Sequence, residues 1–330
     1  MLTNLCNGYI IKLIATALLL TRLHRRTKMI NKVEALIEIL NRENTGIESI
    51  ALWQDGEMKL VHRFVPAGPR LIYSHTKSFI STAAGIAIDE GLLTLDTTVY
   101  ELFPDYADII TDDRVKNITL RHFLTMSSGF GGSFLMSANR RKLEGYPDYI
   151  GYMLSKELKY ASGEKFLYSN ADTHLAGCMV QRACKKPLLQ YCCEKLFTPL
   201  DMGFPAWETA PDGTAFGGSG LYLDITEMMK LGILYLNKGI YNGKRVVSEK
   251  WVELAGSRQI NTGHEAPWHS GYGFQFWTIG QRENAFRADG MYGQFSIVLP
   301  DENAVLAIQS SEQNDVAKFV EILIKTVIEK

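Results

Sequence analysis

A chain of 330 residues with 46% hydrophobic content is long and apolar enough to bury a large core, as one elaborated domain or two interleaved ones. Its formal net charge of −1, with no basic run carrying interleaved aromatics in the body of the chain, argues against a nucleic-acid or strongly acidic partner. The five cysteines, Cys6, Cys178, Cys184, Cys192 and Cys193, are odd in number and form no CxxC pair. Reduced thiols in a cytoplasmic protein fit that usage best.

Gly8 to Leu20 is mostly apolar but interrupted by Lys12, and falls short of the roughly 20 residues of a membrane span. Its basic cluster, Arg22, His24, Arg25, Arg26 and Lys28, follows the apolar run, whereas a secretory signal carries its charge in front. A short membrane anchor, an amphipathic surface helix and an extension ahead of a start at Met29 all stay open, the last two preferred. Membrane association would run only through residues 8–28.

Met29 to Asn41 has helical spacing at Ile30, Val33, Leu36, Ile37 and Leu40. Ile47 to Gln54 and Glu57 to Phe64 flank Asp55-Gly56, the strongest short signal for a β-hairpin. Pro66 to Pro69 then breaks the sheet, and a helix follows whose first turn should hold Ser74 and lie at a sheet edge. Its apolar run, Ile80 to Ile88, suits a helix packed on several sides, with Gly91 as the stop. From Leu92 to about Leu236 the pattern is mainly helical, with clear helices at Asn170 to Cys184 and Ile225 to Leu236, and Ser248 caps another. Strands return at Gly273 to Ile279, Ala285 to Ala288, Phe295 to Leu299 and Ala304 to Ile308, before a last amphipathic helix from about Asp315 to Ile328. This implies an α+β domain over 29–330: one antiparallel sheet built from strands at both ends and flanked by helices, with a mainly helical insertion at about 95–236.

Three segments carry candidate chemistry. Ser74-His75-Thr76-Lys77 sets a hydroxyl and an amine on one helical face, where the amine can accept the hydroxyl proton if its own pKa is depressed. That SxxK spacing arises by chance roughly once or twice in a chain this long, and Ser162-Gly163-Glu164-Lys165 repeats it in what reads as a turn. Tyr168-Ser169-Asn170 precedes a helix; a phenol acts as a base only beside a cation, which Lys77 would supply, and the Asn170 amide could be offered to a substrate carbonyl. In Arg287-Ala288-Asp289-Gly290-Met291, Gly290 would let a substrate lie against the strand, and the Met291 N–H could face an oxyanion opposite that of Ser74. Read blandly, the three are an N-cap serine, a capping segment with a half-buried tyrosine, and a glycine-rich turn.

Together they resemble the serine β-lactamase and penicillin-binding-protein superfamily, most closely its class C β-lactamase-like branch of esterases, amide hydrolases and D-specific peptidases. The carrying residues are Ser74 to Lys77, Leu120 to Gly129 (LRHFLTMSSG), Gly163 to Asn170 (GEKFLYSN), Gly218 to Gly239, and Gly271 to Pro300 with its ADGMYGQ. The resemblance implies a β-lactamase/transpeptidase-like fold and a serine hydrolase acting on a small molecule or peptide, with no cofactor. Ser74 would be the acylated nucleophile, Lys77 and Tyr168 the proton-transfer pair, Asn170 a substrate or network contact, and the Ser74 and Met291 N–H groups the oxyanion hole. Where β-lactamases carry KTG this chain has Ala288-Asp289-Gly290, lacking the cation and hydroxyl that hold a substrate carboxylate. Asp289 reads as a strand-end cap, with contact to a cationic or donor-bearing substrate as the other option. A catalytically weak binder or sensor is the competing class.

His264 and His269 flank Pro267 at a spacing unlike a helical zinc pair. Neither a GxSxG elbow nor a nucleotide-binding glycine loop occurs. His75, at i+1 from Ser74, should turn away from the Ser74–Lys77 face as a rim or packing residue.

Overall fold

The computed structural model describes residues 29–43, 45–312 and 314–329, so the expectations for residues 1–28, Cys6 included, lie outside it. α1 (29–43) leads into β1 (Ile47–Gln54) and β2 (Glu57–Arg63), joined by the predicted turn. Asp55 and Gly56 take φ of 55° and 91°, as a two-residue turn matched to strand twist requires. Six more strands of the same sheet come from the C-terminal part: β3 (Ile260–Asn261), β4 (Gly271–Tyr272), β5 (Trp277–Thr278), β6 (Phe286–Gly290), β7 (Gln294–Leu299) and β8 (Ala304–Ser310). Their spatial order is β2-β1-β8-β7-β6-β5-β4-β3, antiparallel throughout. The two chain ends therefore meet at the β1–β8 pair, where Leu52 faces Leu306.

The period of two along β8 assigns its faces. Leu306 and Ile308 point to an outer layer with Val33, Leu36 and Leu40 of α1 and with Phe319 and Leu323 of the C-terminal helix. Val305 and Ala307 point to the larger inner core, which holds most of the buried apolar residues between Ile72 and Ala255. Three helices position the site there: α2 (Thr76–Asp89), α3 (Asn170–Cys184) and α4 (Ile225–Leu236). α2 is buried on all sides from Thr76 to Ala87, as its small side chains allow. Its Gly85 lies so close to the Trp251 indole that a Cβ would stand 2.5 Å from the ring. α4 starts with a capping box from Asp224 and Glu227, and α3 with Ser169 accepting from the Ala171 N–H.

Three expectations change. Helical geometry begins at Thr76, so Ser74 sits one step earlier, in a 3-10 turn spanning Tyr73–His75. That turn is not at an edge of the large sheet: it abuts the end of β6, an inner strand, and is led in by a short strand at Arg70–Leu71 paired to Leu221–Leu223. Of the strand foreseen from Gly273 to Ile279 only β5 forms; β4 ends before it, and Gln275 in the reversal between the two takes φ +64°. Gln275 instead ties three helices together: its buried side-chain amide donates to Phe123 O and Leu124 O, its Oε1 accepts from Thr173, and its backbone carbonyl accepts from Ser78. The four described cysteines are unpaired, and among the described residues no helix is long and apolar enough to cross a membrane.

Candidate active site

The chain enters the nucleophile turn under constraint. Ile72 donates its N–H to Leu221 O at 2.9 Å, and Tyr73 is held at φ +48°, a left-handed conformation that costs an L-residue energy. The Tyr73 ring meets Tyr292 edge-on at 5.3 Å and its hydroxyl donates to Glu312, so contacts from the far end of the chain keep the strained residue in place. Ser74 follows, and the helix begins two residues later.

Lys77 comes round one turn on, 1% exposed. Its Nζ lies 3.0 Å from Ser74 Oγ and 2.6 Å from Asn170 Oδ1, and it also hydrogen-bonds the Gly218 carbonyl. Burial, with no carboxylate beside it, holds the amine well below the usual lysine range. Two of these three neighbours are carbonyl oxygens that can only accept. Charged, the amine donates to all three; in its neutral form, with two hydrogens on the carbonyls, its lone pair would face Ser74, whose hydroxyl can donate.

Tyr168 closes the group from the side of α3. Its hydroxyl is hydrogen-bonded to Ser74, and the Lys77 nitrogen lies 5.1 Å from its ring centroid. Burial pushes the phenol well up, the hydrogen bond with Ser74 opposes this, and the Asp289 charge adds to it. The ring stacks on Trp277 at 5.9 Å and 25°, while Tyr272 and Phe166 complete an aromatic wall. Asn170, 4% exposed, accepts from Lys77 and donates to Leu135 O at 3.0 Å. It is thereby a member of the lysine's network, and the option of offering its amide to a substrate gives way to that.

From the sheet side, Gly290 ends β6 hard against the nucleophile turn. A Cβ there would stand 2.2 Å from Ile72 O and 3.2 Å from the His75 N–H nitrogen. The demand for glycine comes from the protein's own backbone, where sequence reasoning had placed a substrate. Met291, the next residue, begins the turn through Tyr292 (φ 66°) and Gly293 (φ 98°).

Over residues 50–324 the chain matches the family described as Beta-lactamase. It belongs to that family. Among curated proteins, the 6-aminohexanoate-dimer hydrolase of Paenarthrobacter ureafaciens is 25% identical over 267 residues, covering 75% of this chain and 67% of that protein. Among solved structures, EstCE1, a hydrolase with promiscuous acyltransferase activity, superposes with a TM-score of 0.71 at 16% identity, over 92% of this chain and 99% of the other. A penicillin-binding protein homologue from Caulobacter crescentus does so with a TM-score of 0.71 at 13% identity, over 90% and 97%. The fold is the β-lactamase/transpeptidase-like α+β fold, and the protein is a β-lactamase-related serine hydrolase.

In this β-lactamase-family chain the departure at Ala288-Asp289-Gly290 has a partner that the sequence reading did not weigh. Among the described residues Asp289 caps no turn. It is held by Arg287, two residues earlier on the same face of β6, whose Nε donates to Asp289 Oδ2 at 2.9 Å and whose Nη2 lies 2.8 Å from the same oxygen. His75 is fully buried, its Nε2 2.9 Å from Ser296 Oγ, and burial lowers its pKa to about 3. It is a packing residue, with no place on the rim. Ser162 lies in the turn foreseen for it, with Gly163 at φ +87°. The histidine pair sits beside Trp277, ring centroids 6.1 Å apart.

Two contributors escaped the sequence reading. The Gly218 carbonyl is one: a backbone atom carries no residue-type signature, although the need for glycine beside Asn170, where a Cβ would lie 2.6 Å from the Asn170 Cβ, left GSG in the text. The other is Asp172, 1% exposed, which accepts from Ser128 Oγ at 3.0 Å and from its N–H at 3.4 Å. It pins the SSG segment to the helix that carries Asn170, and burial pushes its carboxyl up to about 7.

Proposed function

We propose that this protein cleaves an ester or amide bond of a small molecule or peptide through an acyl-enzyme on Ser74. The observation that carries the reading is the surroundings of Lys77: a buried amine, without a counter-ion, whose two carbonyl partners leave its lone pair to the Ser74 hydroxyl. Lys77 takes the Ser74 proton as Oγ attacks the substrate carbonyl. The backbone N–H groups of Ser74 and Met291 receive the oxyanion. Tyr168, a phenol kept protonated by burial, hands its proton to the departing oxygen or nitrogen, and Lys77, which holds the proton taken from Ser74, returns one to the phenolate. Tyr168 therefore serves as donor and relay rather than as the base that a neighbouring cation would have made of it. Water then enters where the leaving group stood and the same groups run in reverse to release the acid.

The breadth of this substrate class follows from the chemistry. Ester and amide share one tetrahedral intermediate, and the relatives' own descriptions include both a dimer hydrolase and an acyl-transferring hydrolase. Efficient β-lactam hydrolysis or D-peptidase action is disfavoured, because positions 288 and 289 offer neither ammonium nor hydroxyl to a substrate carboxylate.

A fluorophosphonate probe should form an adduct on Ser74, and a short p-nitrophenyl ester should be turned over many times. Labelling with a single turnover would make the protein a binder or sensor. No adduct, together with unchanged turnover in Ser74→Ala, would end the proposal.

A further inference from the structure

The ion pair on β6 is asymmetric. Both contacts from Arg287 fall on Asp289 Oδ2, and Oδ1 takes no hydrogen bond from the described residues. Arg287 itself is fully buried and immobilised: Nη1 donates to Trp268 O at 2.6 Å, and the guanidinium lies 3.9 Å from the Trp268 ring centroid. The Asp289 side chain keeps 18% of its surface exposed. Its field reaches the phenols of Tyr168 and Tyr272. The next residue, Gly290, meets the nucleophile turn. A guanidinium thus anchors one carboxylate oxygen from behind while the other stays open, beside the phenol that serves the leaving group. A buried ion pair is poor evidence of stabilisation, since apolar residues of the same volume usually do as well. Its specific product here is a fixed acceptor carrying negative charge.

We propose that Asp289 Oδ1 selects substrates whose departing half presents a cation or a hydrogen-bond donor, and rejects those that carry a carboxylate there. This rests on the acyl-enzyme reading above and gives it a substrate class. Besides Arg287, the side chains coupled to this carboxylate are the phenols of Tyr168 and Tyr272, and neither brings a positive charge to cancel it. An ammonium meets it with one oxygen free, whereas a carboxylate meets like charge that must be desolvated.

Asp289→Asn inverts the site rather than merely blunting it. The guanidinium can only donate, so it claims the Asn oxygen and turns the amide N–H group toward the cleft. Three butyrate esters probe this: that of dimethylaminoethanol, which bears an ammonium; that of 3-methylbutanol, its neutral isostere; and that of glycolic acid, which bears a carboxylate. The ratio of variant to wild type for each ester cancels their different intrinsic reactivities. The variant should lose roughly tenfold in kcat/KM on the ammonium ester, change little on the neutral one, and gain on the carboxylate. An equal loss on all three would mean that the pair is only structural, and no change would mean that Oδ1 meets no substrate; either overturns the inference. If a melting curve shows the single variant unfolded, the double variant Arg287→Gln with Asp289→Asn strands no buried charge and should equalise the ammonium and neutral esters; a preserved ammonium preference then overturns it. Failure of the underlying reading looks different: no ester is turned over, or Ser74→Ala turns them over like wild type, and this inference falls with it.

Discussion

Gly290 lies so close to Ile72 that a single methyl group at its Cα would stand 2.2 Å from the Ile72 carbonyl oxygen. The end of β6 and the turn before α2 are thus one rigid junction, and both proposed oxyanion donors belong to it. Gly290→Ala must push the two apart. Displacement of reacting groups by about 1 Å costs on the order of a hundredfold in rate, so kcat/KM on an ester should fall by about that factor. Circular dichroism should show the fold retained. Wild-type activity in this variant would mean that the junction does not set the site.

Lys77→Met keeps the volume and removes the base. Loss of a positioned base costs roughly 10²–10⁴-fold, and the rate of fluorophosphonate labelling at Ser74 should drop accordingly. Lys77→Arg should not restore it, because a guanidinium stays protonated and has no lone pair to offer. Labelling of Lys77→Arg at the wild-type rate would remove the proton-acceptor role.

The depressed pKa of Lys77 has a definite sign in a pH profile. The amine works when unprotonated, so acylation should rise with pH through its lowered value and reach a plateau well below the ordinary lysine pKa of about 10.4. Over the interval between those values the folded chain binds fewer protons at this site than the unfolded one, so this group's contribution to stability increases with pH. Single-turnover acylation from pH 5 to 10 checks the first point. A rate falling across that range would show that the protonated form is the active one.

Asp172 titrates in the opposite sense. Its carboxyl is raised from 3.8 to about 7 by burial, so the stability it contributes is complete below about pH 4 and is lost as pH rises through 7. Asp172→Asn cannot ionise and can still accept from Ser128. Between pH 4 and 8 the stability difference, variant minus wild type, should move in the variant's favour by a few kcal/mol, about 4 at most. Urea melts at the two pH values measure it, and a difference that does not change with pH refutes the assignment.

Two SxxK matches make opposite forecasts. Ser162 donates to Ser128 O at 2.9 Å and the exposed Lys165 lies over the Tyr160 ring, far from a helical face they could share. Lys165→Ala should leave labelling and turnover as in wild type, with stability within about 0.5 kcal/mol. A chromogenic cephalosporin should be a poor substrate beside a short ester. Efficient cephalosporin hydrolysis would show that another group supplies the missing carboxylate contact.

Much of this protein is written locally. Asp55-Gly56 sets the first hairpin because its backbone must take positive φ twice, and the bounds of α3 and α4 follow from Ser169 and Asp224 as caps and from the apolar period between them. The residue types and spacing of Ser74, Lys77, Tyr168 and Asn170 likewise point to one another without coordinates, because acyl transfer needs an alcohol, an amine and a phenol. Alternation along β6 even carries the Arg287–Asp289 pair, since i and i+2 share a face of a strand.

What the tertiary structure decided is what each group is bonded to. The lowered pKa that the proposed base role of Lys77 needs comes from burial among groups brought from afar: Asn170 of helix α3 and the Gly218 carbonyl arrive 93 and 141 residues later as acceptors. Gly290 is needed for a carbonyl more than 200 positions away in sequence, and Asp172 reaches back 44 residues to Ser128. A sequence names donors, acceptors and their local geometry, but pKa and charge depend on burial and on neighbours brought from afar, and those exist only once the chain has closed on itself.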